Sequence, residues 1–272
     1  MIPRDYITEW RREAPWVEDS QVEQDLVISR ALVEIFSHPL LKDAVAFRGG
    51  TALYKLHIKP PARYSEDIDL VQVNAGPAGP IIDALRSTLD LWLGEPRRKQ
   101  NEGRVTLIYR FQSEDTPPLA LRLKVEMNSR EHFSHFGIHR IPFAVTSRWF
   151  SGECEIGTYT LEELLGTKLR ALYQRKKGRD LFDLETALKI DGVQPAKIID
   201  TFLDYMARSN HQITRALFER NMADKMADPK FTSDIGPLLA SGYGWKIESA
   251  AEIVSRDLIA LLPGEPWKGN RE

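Results

Sequence analysis

Apolar residues at Val22, Leu26, Val27, Leu32, Val33 and Phe36 recur with the spacing of one helix face, and the run stops at His38-Pro39. Ser20-Gln21-Val22-Glu23 has the form of a capping box, so the helix is predicted to begin there. Asp43 to Arg48 reads as a short strand that delivers Gly49-Gly50 at its C-terminal end, and Ala52 to Leu56 as a short helix. After the loop Asn74 to Pro80, Ile81, Leu85, Leu89 and Trp92 mark an amphipathic helix. Strict alternation then predicts two strands. One runs from Arg104 to Phe111 with Val105, Leu107, Tyr109 and Phe111 on one face. The other runs from Leu119 to Asn128, with Leu119, Leu121, Leu123, Val125 and Met127 inward and Arg122, Lys124, Glu126 and Asn128 opposite.

From Thr160 the pattern turns helical throughout. Thr160-Leu161-Glu162-Glu163 repeats the capping-box form, and Leu161, Leu164, Leu165, Leu169 and Leu172 make the buried stripe of the helix behind it. Further helices are expected over Pro195 to Ala207, Ile213 to Met226 and Glu248 to Leu262, with turns at Asp228-Pro229 and Ser241-Gly242. Trp245 and Trp267 are expected in the core of this bundle, and the tail Pro263 to Glu272 is read as disordered. The fold class that follows is α+β: a mixed sheet with flanking helices over residues 1–158, then a C-terminal helical bundle over residues 159–272.

Composition narrows the picture without choosing a chemistry. A chain of 272 residues with 42% hydrophobic content suits one or two domains with proper cores. Lys plus Arg number 37 against 39 Asp plus Glu, so no global positive charge advertises nucleic acid, and any such surface must be local. The single cysteine, Cys154, excludes an intrachain disulfide and fits a reducing cytoplasm. No apolar run approaches the ~18 residues of a membrane span, and Met1 to Glu13 lacks the apolar stretch of a signal peptide; neither is expected.

The chemistry concentrates between Phe47 and Val73. In Ser65-Glu66-Asp67-Ile68-Asp69-Leu70 a strand would aim Asp67 and Asp69 from the same side, about 7 Å apart along the chain. Two such carboxylates repel unless a cation lies between them, and hard oxygen ligands suit Mg²⁺. Gly49-Gly50 at a strand-to-helix turn lets backbone N–H groups approach phosphate oxygens. Glu126 lies on the polar face of its strand, where Lys124 two residues earlier could neutralise it instead. Lys168 falls inside the apolar stripe of its helix and needs an anion, either an acidic site or a triphosphate. The basic loop Arg175 to Arg179 leads into Asp180 and Asp183, which share a helix face. His132, His135 and His139 have a spacing that could in principle ligate zinc, but no cysteine or helical register supports it.

Gly49-Gly50-Thr51-Ala52-Leu53-Tyr54-Lys55-Leu56 followed by Arg63-Tyr64-Ser65-Glu66-Asp67-Ile68-Asp69-Leu70 resembles the first two motifs of the AbiEii/AbiGii nucleotidyltransferase toxins, a branch of the DNA-polymerase-β-type nucleotidyltransferases. Thr167 to Arg175 and Arg179 to Leu184 resemble the third and fourth, so the likeness spans about Ala46 to Leu188. It implies a polymerase-β-like sheet and an Mg²⁺-dependent enzyme, using two ions, that transfers a nucleotide from an NTP. Asp67 and Asp69 would hold the metals, with Glu126 as a third carboxylate from a neighbouring strand. Arg48, Gly49, Gly50, Thr51, Lys55 and Ser65 would contact the nucleotide, and Lys168 its phosphates. Glu126, Asp180 or Asp183 would complete the catalytic set. The likeness further implies a cytoplasmic toxin with a separately encoded antitoxin and an RNA acceptor, the 3′ end of tRNA. Arg97, Arg98, Lys99, Arg170, Arg175, Lys176, Lys177 and Arg179 are candidates for its groove. A protein or small-molecule hydroxyl as acceptor, or a catalytically silent nucleotide-binding module, remain the other readings.

Overall fold

Strands form where apolar and polar residues alternate, and also where they do not. In the computed structural model, which describes residues 2–269, seven strands make one sheet among the described residues: β1 (Val45–Arg48), β2 (Asp67–Gln72), β3 (Arg97–Asn101), β4 (Arg104–Gln112), β5 (Ala120–Asn128), β6 (His139–Thr146) and β7 (Ser151–Thr158). Their order is β3-β4-β5-β2-β1-β7-β6, with β2–β5 and β1–β7 parallel and the other pairs antiparallel. The expected mixed sheet is present. The alternating apolar residues of β4 and the Leu123, Val125 and Met127 side chains of β5 are buried; Leu119, read as inward, precedes the strand and is 49% exposed.

The two edge strands carry no legible alternation. The outermost, β3, is exposed at every residue and strongly basic, which protects an open sheet edge from pairing with another chain. At the other edge β6 buries only Val145 and contains Pro142, a residue that a central strand would reject. The segment after Arg130 is a loop as far as Ile138, and the strand begins at His139.

The helix Asp19–Ser37 lies across β5, β6 and β7. Its cap is Glu18, whose side chain and that of Gln21 exchange hydrogen bonds with each other's backbone; Ser20 sits inside the first turn and is buried. Gln24 Nε2 donates to the Arg122 carbonyl at 2.8 Å and reaches the Glu66 carbonyl at 3.5 Å. Beyond β1 the chain makes one helical turn, Gly49–Ala52, and a wider π turn, Leu53–His57, where a short helix over Ala52 to Leu56 was expected.

The chain divides into two compact units, one ending at Tyr159 and one beginning at Thr160. The second is helical. Thr160 caps Leu161–Gln174, its hydroxyl accepting from Glu163 N at 3.2 Å, and this helix packs on Pro195–Arg208 and Gly178–Ala187. Trp245 rests edge-on to Phe182, ring centroids 5.4 Å apart. The tail is tied down as far as it is described. Arg215 N donates to the Pro263 carbonyl at 2.8 Å and Trp267 N to Glu219 Oε2 at 2.6 Å, while residues 270–272 of the expected disordered tail lie outside the described residues. No helix among the described residues is long and apolar enough to cross a membrane.

Candidate active site

Strand register gathers the carboxylates. Arg48 on β1 lies opposite Asp69 on β2, and β5 sets Lys124 opposite Asp67 and Glu126 opposite Asp69. Directly opposed residues share a face, so two aspartates, a glutamate, a lysine and an arginine emerge together. Lys124 Nζ lies 3.4 Å from Asp67 Oδ2 and 3.1 Å from Glu126 Oε2, and Arg104 Nε takes the other oxygen of Glu126 at 3.2 Å. Arg48 reaches to Glu131 Oε2 at 2.6 Å. The Asp69 carboxylate makes no hydrogen bond or ion pair among the described residues. Burial pushes its carboxyl above the usual range, Asp67 and Glu126 push further, and Arg48 and Lys124 oppose them. Burial raises Asp67 in the same way, with Glu66 and Glu126 adding to it and Lys124 opposing.

The Gly-Gly turn is shaped around this face. Gly49 has φ +82°, and a Cβ there would collide with the Asp69 carboxylate; a Cβ on Gly50 would run into the Arg63 guanidinium. Thr51 Oγ1 donates to the Asp67 carbonyl at 2.5 Å, so its single proton is committed and the 2.7 Å contact to Ser65 Oγ has serine as donor. Gly49→Ala is expected to cost about 1–3 kcal/mol, from the strained φ and the displaced carboxylate. Thermal unfolding beside Gly76→Ala, which meets only Gln72 Nε2 at 3.8 Å, checks this; equal melting temperatures would refute it.

Other expected site residues stand elsewhere. Lys55 Nζ is held by Asp25 Oδ1 at 2.7 Å and Ser29 Oγ at 2.8 Å, and the Trp10 and Trp16 indoles also donate to Asp25. The lysine thus serves as counter-ion to a buried carboxylate, in a small cleft that Thr51, Tyr54 and Ser65 also line. Glu126, expected as a third metal carboxylate, is neutralised by Lys124 and Arg104. Among the described residues no three His, Cys, Asp or Glu side chains gather as a metal site. The histidines disperse accordingly. His132 Nδ1 meets the Gln72 carbonyl at 3.0 Å, His135 packs edge-on to Phe136, and His139 Nε2 lies 3.3 Å from the Phe136 carbonyl.

The second unit holds its own cluster. Lys168 Nζ sits 3.0 Å from Asp180 Oδ1 and 2.9 Å from Asp183 Oδ2, so its ammonium meets an acidic site and both aspartates engage it. Arg175 adds a fork to Asp180, Nε to Oδ2 at 2.7 Å and Nη2 to Oδ1 at 2.8 Å. Burial alone would raise the Asp180 carboxyl, but Lys168 and Arg175 hold it below the ordinary range. The basic loop is matched in place: Lys176 pairs with Asp228 at 3.1 Å, and Lys177 and Arg179 with Asp234 at 3.4 and 3.7 Å. Sequence reasoning missed Lys225, a buried lysine donating to the carbonyls of Leu172 and Tyr173 at the end of Leu161–Gln174, whose pKa burial lowers to about 8. Asn221 Oδ1, one turn earlier on its own helix, also accepts from it, but the two carbonyls that mark the lysine as buried lie 53 and 52 residues away.

The solved structure of MenT4, a nucleotidyltransferase toxin from Mycobacterium tuberculosis, matches with a TM-score of 0.65 at 15% identity, covering 97% of this chain and 91% of its own. JHP933 from Helicobacter pylori matches at 0.54 and 15% identity, covering 88% and 90%. At such identities the likeness establishes a shared fold, here one of nucleotidyltransferase type. No curated protein matches the sequence. The model of the AbiEii nucleotidyl transferase toxins of type IV toxin/antitoxin systems covers residues 30–252, which include the Asp67–Asp69 face and the Lys168 cluster, and the chain belongs to that family.

Proposed function

We propose that this nucleotidyltransferase toxin moves a nucleotide from an NTP to an RNA acceptor, the 3′ end of a tRNA, in the cytoplasm, and that a separately encoded antitoxin opposes it. The observation that carries the reading is the Asp67–Asp69 face, with a side-chain-free Gly49 giving the Asp69 carboxylate its room.

The donor set there fits one hard divalent cation. Two carboxylates share a face, burial and mutual repulsion disfavour their charge, and Asp69 has no partner of its own. Asp67 and Asp69 would hold Mg²⁺, which when bound supplies charge neutralisation for the phosphates. The chain's own residues do the rest. Gly49, Gly50 and Thr51 present backbone N–H groups to phosphate oxygens, and Ser65 fixes the Thr51 side chain beneath them. In the transfer an acceptor hydroxyl attacks the α-phosphorus and pyrophosphate leaves with the electrons of the broken P–O bond. The hydroxyl proton passes to a carboxylate acting as general base. Lys168, with Asp180 and Asp183, is the second functional cluster of the reading. For the acceptor, Arg97, Arg98 and Lys99 on the exposed β3 edge offer the accessible positive charge, since the loop from Arg175 to Arg179 is already paired.

The test is incubation of the protein with Mg²⁺, each α-³²P NTP in turn and total cellular RNA, beside Asp67→Asn. Label on tRNA-sized RNA that disappears in the variant is expected. Label only on protein or a small molecule would replace RNA as the acceptor; NTP binding with no label anywhere would reduce the chain to a nucleotide-binding module.

A further inference from the structure

We propose that Lys124 is a built-in counter-cation that takes the place of a second metal ion, so that the Asp67–Asp69 face accepts one divalent ion rather than two. The inference rests on Asp67 and Asp69 being the metal ligands.

Lys124 is placed by strand register. The parallel pairing of β2 with β5 sets it directly opposite Asp67 while Glu126 falls opposite Asp69, and its ammonium bridges from Asp67 Oδ2 at 3.4 Å to Glu126 Oε2 at 3.1 Å. A cation between two carboxylates that belong to different strands is what a bridging metal would be. The position is filled by the chain itself. Glu126 is closed from the other side as well, by Arg104 Nε at 3.2 Å. Neither of its oxygens is left to a metal without displacing a basic side chain.

Charge counting gives the same answer. Asp67, Asp69 and Glu126 carry three negative charges; Lys124 and Arg104 supply two positive ones, and Arg48 is spent on Glu131 at 2.6 Å. One carboxylate, Asp69, is unmatched. A single divalent ion held there already exceeds that surplus by one charge. A second would sit against the Lys124 ammonium and be repelled by it in a partly dehydrated setting where such repulsion is weakly screened. Lys124 also holds Asp67 and Glu126 together in the metal-free protein, which makes it a positioning residue.

Mn²⁺ is the probe, titrated into the full chain by equilibrium dialysis with electron paramagnetic resonance detection, counting only ions lost in Asp69→Asn. Wild type is expected to bind one. Lys124→Met and, as a second variant should methionine impair folding, Lys124→Gln are expected to bind either two such ions or the first at least ~10-fold more tightly. They should also melt lower than wild type in the absence of metal, because Asp67 and Glu126 lose their shared partner. Lys124→Arg should keep the single-ion stoichiometry. Two ions per wild-type chain, or Lys124 variants with unchanged stoichiometry and affinity, would overturn the inference. If no bound ion responds to Asp69→Asn in any variant, the metal reading of Asp67 and Asp69 fails first and this inference falls with it.

Discussion

Replacing Asp69 with asparagine is expected to abolish nucleotide transfer and at the same time to raise the melting temperature of the metal-free protein. The two effects have one cause. The carboxylate is partly buried, unpartnered and close to Asp67 and Glu126, so in the folded chain its proton affinity lies above that of an exposed aspartate. A group with a raised folded pKa favours folding below its unfolded value and loses that contribution as pH rises through the folded one. At neutral pH the ionised Asp69 therefore costs stability, and a neutral amide of the same shape removes the cost. A gain of about 1 kcal/mol would appear as roughly 2–4 °C. Transfer should fall by about a thousandfold or more, since on the proposed reading the variant loses one of two metal carboxylates and with it several kcal/mol of charge stabilisation. Melting curves at successively lower pH provide a second check: the advantage of the variant should shrink as wild-type Asp69 protonates, above the pH at which an exposed aspartate would. A variant that melts lower than wild type, or that still transfers nucleotide, would contradict this account of the site.

Lys168→Met should act in the opposite sense on stability. The ammonium is matched to two fully buried carboxylates, and its removal leaves Asp183 without that cation and Asp180 with Arg175 alone. Breaking a buried pair from one side costs about 3–5 kcal/mol, so partial or complete unfolding of the helical unit is expected at pH 7. The pH dependence has a definite sign. Asp180 has a depressed pKa, so its contribution is present above the ordinary aspartate value and is lost as pH falls through the lower, folded one. Without Lys168 that depression weakens, and acidification relieves the charge of the buried carboxylates; the gap between variant and wild type should narrow as pH falls from 7. Urea unfolding followed by tryptophan fluorescence measures both. A pH-independent loss below about 1 kcal/mol would mean the triad is not a stabilising unit. Lys168→Arg restores a cation and separates the roles: a folded Lys168→Arg protein without transfer activity would tie the lysine itself to the nucleotide.

Much of the site can be read from local pattern, because what it requires there is local. The two-residue period of a strand is enough to put Asp67 and Asp69 on one face. Glycine at positions 49 and 50 is visible in the chain, and the structure supplies the reason: the Asp69 and Arg63 side chains stand where a Cβ would be. Lys168 inside a leucine stripe signals a buried cation before its partners are known, and Asp180 and Asp183 prove to be those partners.

What the chain pattern leaves open is partnership across strands and helices. Lys124 could be seen as a possible neutraliser of Glu126, two residues away on the same face, but its bridge to Asp67 crosses 57 residues and exists only because β2 and β5 pair in one register. Arg48 finds Glu131 across 83 residues, and Lys55 is drawn to Asp25 on another helix. The edge strands β3 and β6 escaped notice for a related reason. A strand at a sheet edge need bury little, so it carries no apolar period, and in β6 a proline that would forbid a central strand is harmless. Sequence alone determined the fold class, the paired aspartates, the glycine turn and the buried lysine, since each depends on periodicity or conformational freedom within a few residues. Only the tertiary structure decided which cation faces which carboxylate, because ion pairs form between side chains that register and packing bring together from distant parts of the chain.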